Sequence, residues 1–279
     1  MPYMEQGALY ELLTTPGAET QRHTNWWTGL QETERTSLGS ISLMKCPSRR
    51  GGVQICSAPN RSGGSWGVSV GAGPRSDYAI VYSGDTLMPQ SDHRWVSDRL
   101  SAAPASSSNS PFRRARGSQS SWSPTDKMSH WKDGTSNQII IGEKHIPPGL
   151  IGENSAEASD VDGSFLAMAH RSYHAIPGGR YNVGRSIITP APRLSNPNDG
   201  WGLLPSDGTT EGWLYDLDEG DVAGGRPVPQ PPYGFGGPHT GVCNFLLGDG
   251  AVRSVSVTVS GAILGSYADV RDGRTPGGL

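Results

Sequence analysis

Several groups of side chains in this sequence are of types that do chemistry. The densest acidic run is Asp216-Leu-Asp-Glu-Gly-Asp221. It sets Asp216, Asp218 and Asp221 around a glycine, and clustered carboxylate oxygens at a turn suit a hard cation such as Ca2+. Asp160-Val-Asp-Gly163 is a shorter fragment of the same kind. Neither completes the full D-x-[DN]-x-[DN]-G-x5-E loop. A solvated acidic turn is therefore the preferred reading of both, with calcium at Asp216, Asp218 and Asp221 as the alternative and no other cofactor expected.

Asp133, Gly134, Thr135, Ser136 and Asn137 form a second group, with Glu143 following. Asp, Ser, Thr and Asn bond their own local backbone, so the expected role is a tight turn into a following strand. A metal held by Asp133, Asn137 and Glu143 is the sharper alternative. If Glu143 is buried at the strand's end it needs a partner, and Arg253 is the candidate. His239, in Gly-Pro-His-Thr-Gly, reads first as a structural histidine that fixes the approach to a strand; a ligand or pH-sensitive role is second. Asn244, flanked by Cys243 and Phe245, must be hydrogen-bonded if buried, with the Asp133–Asn137 turn as its expected partner. Cys46 and Cys56 lie either side of a stretch that can turn. A disulfide there would stabilise by roughly 2–3 kcal/mol, and two ordinary thiols is the equal alternative.

Metalloprotease and nucleotide-binding signatures are missing: there is no H-E-x-x-H, Walker loop or dinucleotide fingerprint. An enzyme is not expected, although a hydrolase built from a spatial Ser, His and acid stays an alternative. Trp26, Trp27, Trp66, Trp201 and Trp213 are the platforms that a secreted carbohydrate- or surface-binding module would use.

These groups sit on a chain of short elements. Gly (39) and Pro (22) exceed a fifth of 279 residues, which favours turns over long helices. Eight Trp, nine Tyr and four Phe argue for a packed core all the same. A net charge of −3 gives no field directed at nucleic acid. No apolar run reaches the length that spans a bilayer, and no signal-peptide pattern opens the chain. Met1 leads directly into a structured-looking segment, so the sequence is expected either to have been cut upstream or to begin inside a domain.

The spacing of Met4, Ala8 and Leu12 with Leu9 and Leu13 predicts a helix over 4–13, ended by Pro16-Gly17. Strands are predicted at 41–45, 77–82, 138–143, 164–169 and 242–247. A return strand follows at 251–259, with Asp249-Gly250 as the hairpin turn. A mobile loop is expected over 101–125 and variable connections over 153–235. The fold class is α+β, predominantly antiparallel β, in a single domain over 1–279.

In this order the segments resemble a bacterial family of unknown function, abundant in planctomycetes, whose members carry a prepilin-type cleavage and methylation segment. Met1-Pro-Tyr-Met-Glu-Gln-Gly-Ala-Leu-Tyr10 is similar to its L-P-Y-x-E-Q-x-x-L-Y, and Met44-Lys-Cys-Pro-Ser48 to its C-P-S element. Asp133 to Asn137 with Gly142-Glu143 resembles D-G-T-S-N-T…G-E. Phe235 to Phe245 resembles F-x-S-x-H-x-G-G-A-N-F, and Asp249-Gly250-Ala251-Val252-Arg253 resembles D-G-S-V-R. Tyr267 to Gly273 is a weaker match to the closing L-x-T-R-x-G-G. Gln138 stands where the family often has Thr, Val242-Cys243 replaces Gly-Ala, and Ala251 replaces Ser. The prepilin helix is not in this sequence.

The resemblance implies a pilin-like globular domain and a non-catalytic structural subunit like a pseudopilin of type II secretion or type IV pili. Such a subunit is exported, resides in the envelope or an extracellular filament, and associates with itself or related subunits. Some major pseudopilins bind calcium in their C-terminal part.

Overall fold

In the computed structural model the described residues are 6–14, 27–57, 72–84, 111–112, 127–146, 148–155, 158, 162–165, 184–188, 235–259, 261–270 and 273. They fall into two compact units. Unit 1 comprises 1–78 and 149–183; unit 2 comprises 79–148 and 184–279. The fold is α+β, with antiparallel strand pairs and a few short helices.

Unit 1 begins with helix α1, Gly7–Thr14, within the span that the apolar spacing predicts. Helix α2, Glu32–Gly39, has no counterpart among the sequence expectations. Its first turn is acidic, and the Glu34 carboxylate accepts the Gln31 amide at 2.7 Å, which satisfies a donor that the helix leaves unpaired. Leu38 at the far end packs with Trp27 and Ile41, and Leu9, Leu12, Leu30, Met44, Ile55 and Ala72 pack against them. The strand predicted at 41–45 is instead a single 3-10 turn, Ser42–Met44. The amides of Met44 and Lys45 bond the carbonyls three residues back, and this local curl outweighs the alternating pattern. Strand β1, Ile55–Cys56, pairs antiparallel with β2, Gly73–Pro74.

Unit 2 holds a five-stranded sheet. Its strands are β3 (Tyr78–Gly84), β4 (Ile139–Glu143), β5 (Gly184–Ile188), β6 (Val242–Leu247) and β7 (Val252–Ser256), in the order β5-β3-β4-β6-β7. The β4–β6 and β6–β7 pairs are antiparallel, whereas β3 and β5 run parallel, a pairing absent from the sequence expectations. The hairpin forms where predicted, but its turn is shifted. Gly250 N donates to Leu247 O at 3.0 Å, so Gly248 and Asp249 are the central pair. Gly250 follows at φ 89°, a left-handed conformation that glycine adopts without a Cβ clash. Asp249 Oδ1 accepts the Ala251 amide at 2.9 Å and closes the corner.

The return strand stops at Ser256 rather than 259, because the Ser256 hydroxyl accepts the Thr258 amide and curls the chain. Val255 is buried as predicted, and Val257 and Val259 pack against the core from that turn. A last helix, α3 (Gly261–Ala268), supplies Leu264, Tyr267 and Ala268 to the core formed by Ala79, Val81, Ile139, Phe235, Cys243, Phe245 and Leu247. The Phe235 and Phe245 rings lie 5.3 Å apart and tilted, a favourable aromatic arrangement.

The strand expected at 164–169 shows only a bridge from Ser164 to Arg75; Phe165 lies in a turn and the remainder lies outside the described residues. Most of the 101–125 and 153–235 stretches also lie outside them. No helix among the described residues is long and apolar enough to cross a membrane.

Candidate functional site

In unit 2 the turn Asp133–Asn137 takes its expected place ahead of β4. Thr135–Asn137 forms a 3-10 turn, and Asn137 Nδ2 donates to the Asp133 carbonyl at 2.9 Å. It delivers the chain through Ile139, Ile140 and Ile141 to Glu143, whose side chain is 2% exposed. Register β4 to β6 sets Gly142 opposite Phe245, which brings Asn244 to the carboxylate. Glu143 Oε2 accepts the Asn244 backbone amide at 2.8 Å. Oε1 meets His239 Nε2 at 3.0 Å and accepts from Asn244 Nδ2 at 3.3 Å. Asn244 Oδ1 in turn accepts the Ser254 hydroxyl at 2.6 Å across the β6–β7 pair.

Gly237 is required for this approach, since a Cβ there would collide with Glu143 Oε2. Glu143, His239 and Asn244 thus form one network in which both oxygens of a buried carboxylate are engaged.

Three expectations change. The partner of Glu143 is not Arg253, which is exposed opposite Phe245 on β7. Asn244 does not pair with the Asp133–Asn137 turn but with Glu143 and Ser254. His239 does more than bond nearby backbone, because it meets a carboxylate 96 residues away in sequence. Glu143 is gathered with His239 and Asn244, and the Asn137 side chain donates to the carbonyl of its own turn. The serine of this network, Ser254, gives its hydroxyl to Asn244 on the neighbouring strand.

Unit 1 carries a second constellation that sequence reasoning missed. Arg50, two residues past the Cys-Pro-Ser element, projects from the turn that follows Cys46 and is 9% exposed. Its Nε donates to Asp77 Oδ1 at 2.8 Å. Its Nη1 and Nη2 grip Asp162 at 2.8 and 2.6 Å, and Nη2 also reaches Asp77. Asp77 further accepts the Cys46 amide at 2.8 Å and Arg49 Nη1 at 3.2 Å. Asp162 further accepts the Gly152 amide at 3.0 Å and lies 3.5 Å from Arg75 Nη1. Asp162 belongs to the Asp160–Gly163 fragment, whose expected solvated turn is here a buried carboxylate.

Burial opposes charge on Arg50, yet the hydrogen bonds and charge of Asp162 and Asp77 push its pKa further up. Burial likewise pushes the Asp77 carboxyl up, but the hydrogen bonds and charge of Arg50, the charge of Arg49 and the Cys46 amide overcome it and hold it below 3.8. A folded-state pKa below the unfolded one stabilises fully above the unfolded value and fades as pH falls through the folded one. The Asp77 contribution to unit 1 stability should therefore be fully present at neutral pH and fade progressively as pH falls below about 4. Denaturation followed across pH 2–6 checks this, and Asp77→Asn should flatten the slope while lowering the plateau.

Of the two readings of the cysteines, the structure has thiols: Cys46, Cys56 and Cys243 are all buried, with no disulfide among them. Trp27 is 5% exposed in the unit 1 core and so offers no stacking face. Trp26, Trp66, Trp201 and Trp213, and the calcium candidates Asp216, Asp218 and Asp221, lie outside the described residues.

Residues 1–261 match the family model described as a protein of unknown function, DUF1559. The chain belongs to that family. Comparison with curated proteins and comparison with solved structures each found no match. Two stretches of the DUF1559 resemblance meet in unit 2: the Gly142-Glu143 pair and the His239 to Asn244 segment supply Glu143, His239 and Asn244 to one network, and Ser254, just past the Asp249–Arg253 match, joins it through Asn244. The Cys-Pro-Ser element plays the matching role in unit 1, starting the turn that aims Arg50.

Proposed function

We propose that this DUF1559 chain is a non-catalytic structural subunit of pseudopilin-like type. It is exported and works in the cell envelope or an extracellular filament by associating with copies of itself or with related subunits. The observation that supports this reading is the engagement of the family-motif side chains with one another. Glu143 is 2% exposed and takes its donors from His239 and Asn244, so the chemistry of these motifs goes into fixing strands. A scaffold of that kind presents surfaces and loops rather than a reacting centre.

The test is fractionation of the source cells followed by mass spectrometry of the native N-terminal peptide and chemical crosslinking. A methylated first residue on an apolar segment upstream of Met1, together with crosslinks between copies or to related subunits, is the expected result. A native cytoplasmic monomer beginning at Met1 would sink the proposal.

A further inference from the structure

Unit 1 is assembled from two passes of the chain. Among the described residues, its apolar cluster from Leu9 to Ala72 lies in the first pass. The described parts of the second pass are 149–155, 158 and 162–165; the buried residues among them are Ala158, Asp162, Gly163 and Ser164, and Leu150, Ile151 and Phe165 are half-buried. Polar contacts fasten this pass. Asp162 takes two donors from Arg50 and lies beside Arg75. Arg75 Nη2 donates to the Glu153 carbonyl at 2.7 Å and to Asn154 Oδ1 at 2.9 Å. Asn154 Oδ1 accepts the Ser57 amide at 2.8 Å, and the Phe165 amide donates to Pro74 O at 3.1 Å.

We propose that the Arg50–Asp77–Asp162–Arg75 cluster is a charge-held latch that fastens the described stretches 149–155 and 162–165 of the second pass onto the first, and that loss of charge at Asp162 releases those stretches while the first pass stays folded. Asp77 and Asp162 divide the work. Asp77 ties Arg50 to the first pass through the Cys46 amide and Arg49, so Arg50 stays aimed when Asp162 is neutralised. Asp162 is the acceptor on the second pass, and Gly152 hangs on it from the same pass. Apolar burial resists a change of charge, whereas a buried ion pair loses its attraction outright when one member is neutralised. The result is an opening confined to one segment, below the threshold of global unfolding. The latch stands independently of the proposed subunit role.

The test is hydrogen exchange on the full chain at neutral pH, wild type against Asp162→Asn. Exchange at the amides of Gly152, Ser57 and Phe165 should accelerate by at least about tenfold. The amides of Arg35 and Ser40 around α2, and of Leu247 and Val257 in unit 2, should keep their rates. Unchanged rates at Gly152 and Phe165 overturn the latch. Equal acceleration at Arg35 and Ser40 also overturns it, because the cluster would then be part of one indivisible core. If Asp162→Asn does not accumulate as folded protein, Arg75→Gln gives the same readout from the other side. It removes the contacts to Glu153 and Asn154 while leaving Arg50 on Asp162, and it should accelerate Ser57 and Gly152 in the same selective pattern.

Discussion

Arg50→Lys is expected to destabilise unit 1 by about 3–5 kcal/mol, the range for breaking a buried ion pair from one side. The charge is kept, so the loss comes from geometry. Arg50 uses one edge of its guanidinium, Nε with Nη2, on Asp77 and the other, Nη1 with Nη2, on Asp162. Two carboxylates on two sides of a planar fork have no counterpart in an ammonium, which is a point charge on a flexible stem. A lysine there can approach one carboxylate and leaves the other buried with fewer donors. Both carboxylates have side chains at 0% exposure, so water does not replace the missing contacts. Arg50→Met should cost at least as much, since it strands two buried anions beside Arg49 and Arg75. Urea denaturation monitored by hydrogen exchange checks this. Amides of unit 1 should lose protection while those of the unit 2 sheet keep theirs. A loss below about 1 kcal/mol for Arg50→Lys would put the pair in the class of exposed ion pairs and contradict the burial.

The parts of the fold that were legible are those with a local signal. Val255 alternates with serines and follows an Asp-Gly corner, and the hairpin is there. Ile139 to Ile141 is a β-branched run, which fits a strand in the sheet interior. Helix α1 announces itself by its apolar spacing. Helix α2 does not, because Glu32 to Ser37 is polar throughout and only its last residues are buried; its signal is the cap between Gln31 and Glu34. Helix α3 carries a glycine, Gly265, in its interior and follows a run of alternating valines. The spacing of Leu264, Tyr267 and Ala268 at i, i+3 and i+4 was its mark. In the Arg50 cluster only Asp162 lay in a stretch singled out from the sequence for its chemistry, the Asp160–Gly163 fragment, and nothing local tied it to the others. The cluster's members come from positions 50, 75, 77 and 162, and a constellation drawn from such distant segments is set by packing alone. His239 and Glu143 were each singled out, but their meeting depends on β4 lying beside β6, a pairing that neither motif encodes.

Glu143→Ala should destabilise unit 2 by about 2–4 kcal/mol, because a buried acceptor of charge-assisted hydrogen bonds is removed and its donors are left behind. The Asn244 amide loses its partner in the middle of β6, where the register with β4 and β7 depends on it. Asn244 Nδ2 loses a second contact, so the side chain that holds Ser254 is no longer fixed. Glu143→Gln separates charge from shape. It fits the same space beside Gly237, but one end of its amide is a donor, and the Asn244 amide and the Asn244 side chain approach the two oxygens of Glu143 as donors. One of those contacts must fail, so Gln should recover only part of the loss. Thermal unfolding of the three proteins, with exchange at Asn244 and Phe245 as the local readout, resolves the order wild type, Gln, Ala. If Gln matched wild type, the carboxylate charge would be idle in the fold, and a role for Glu143 outside the strand network would have to be sought.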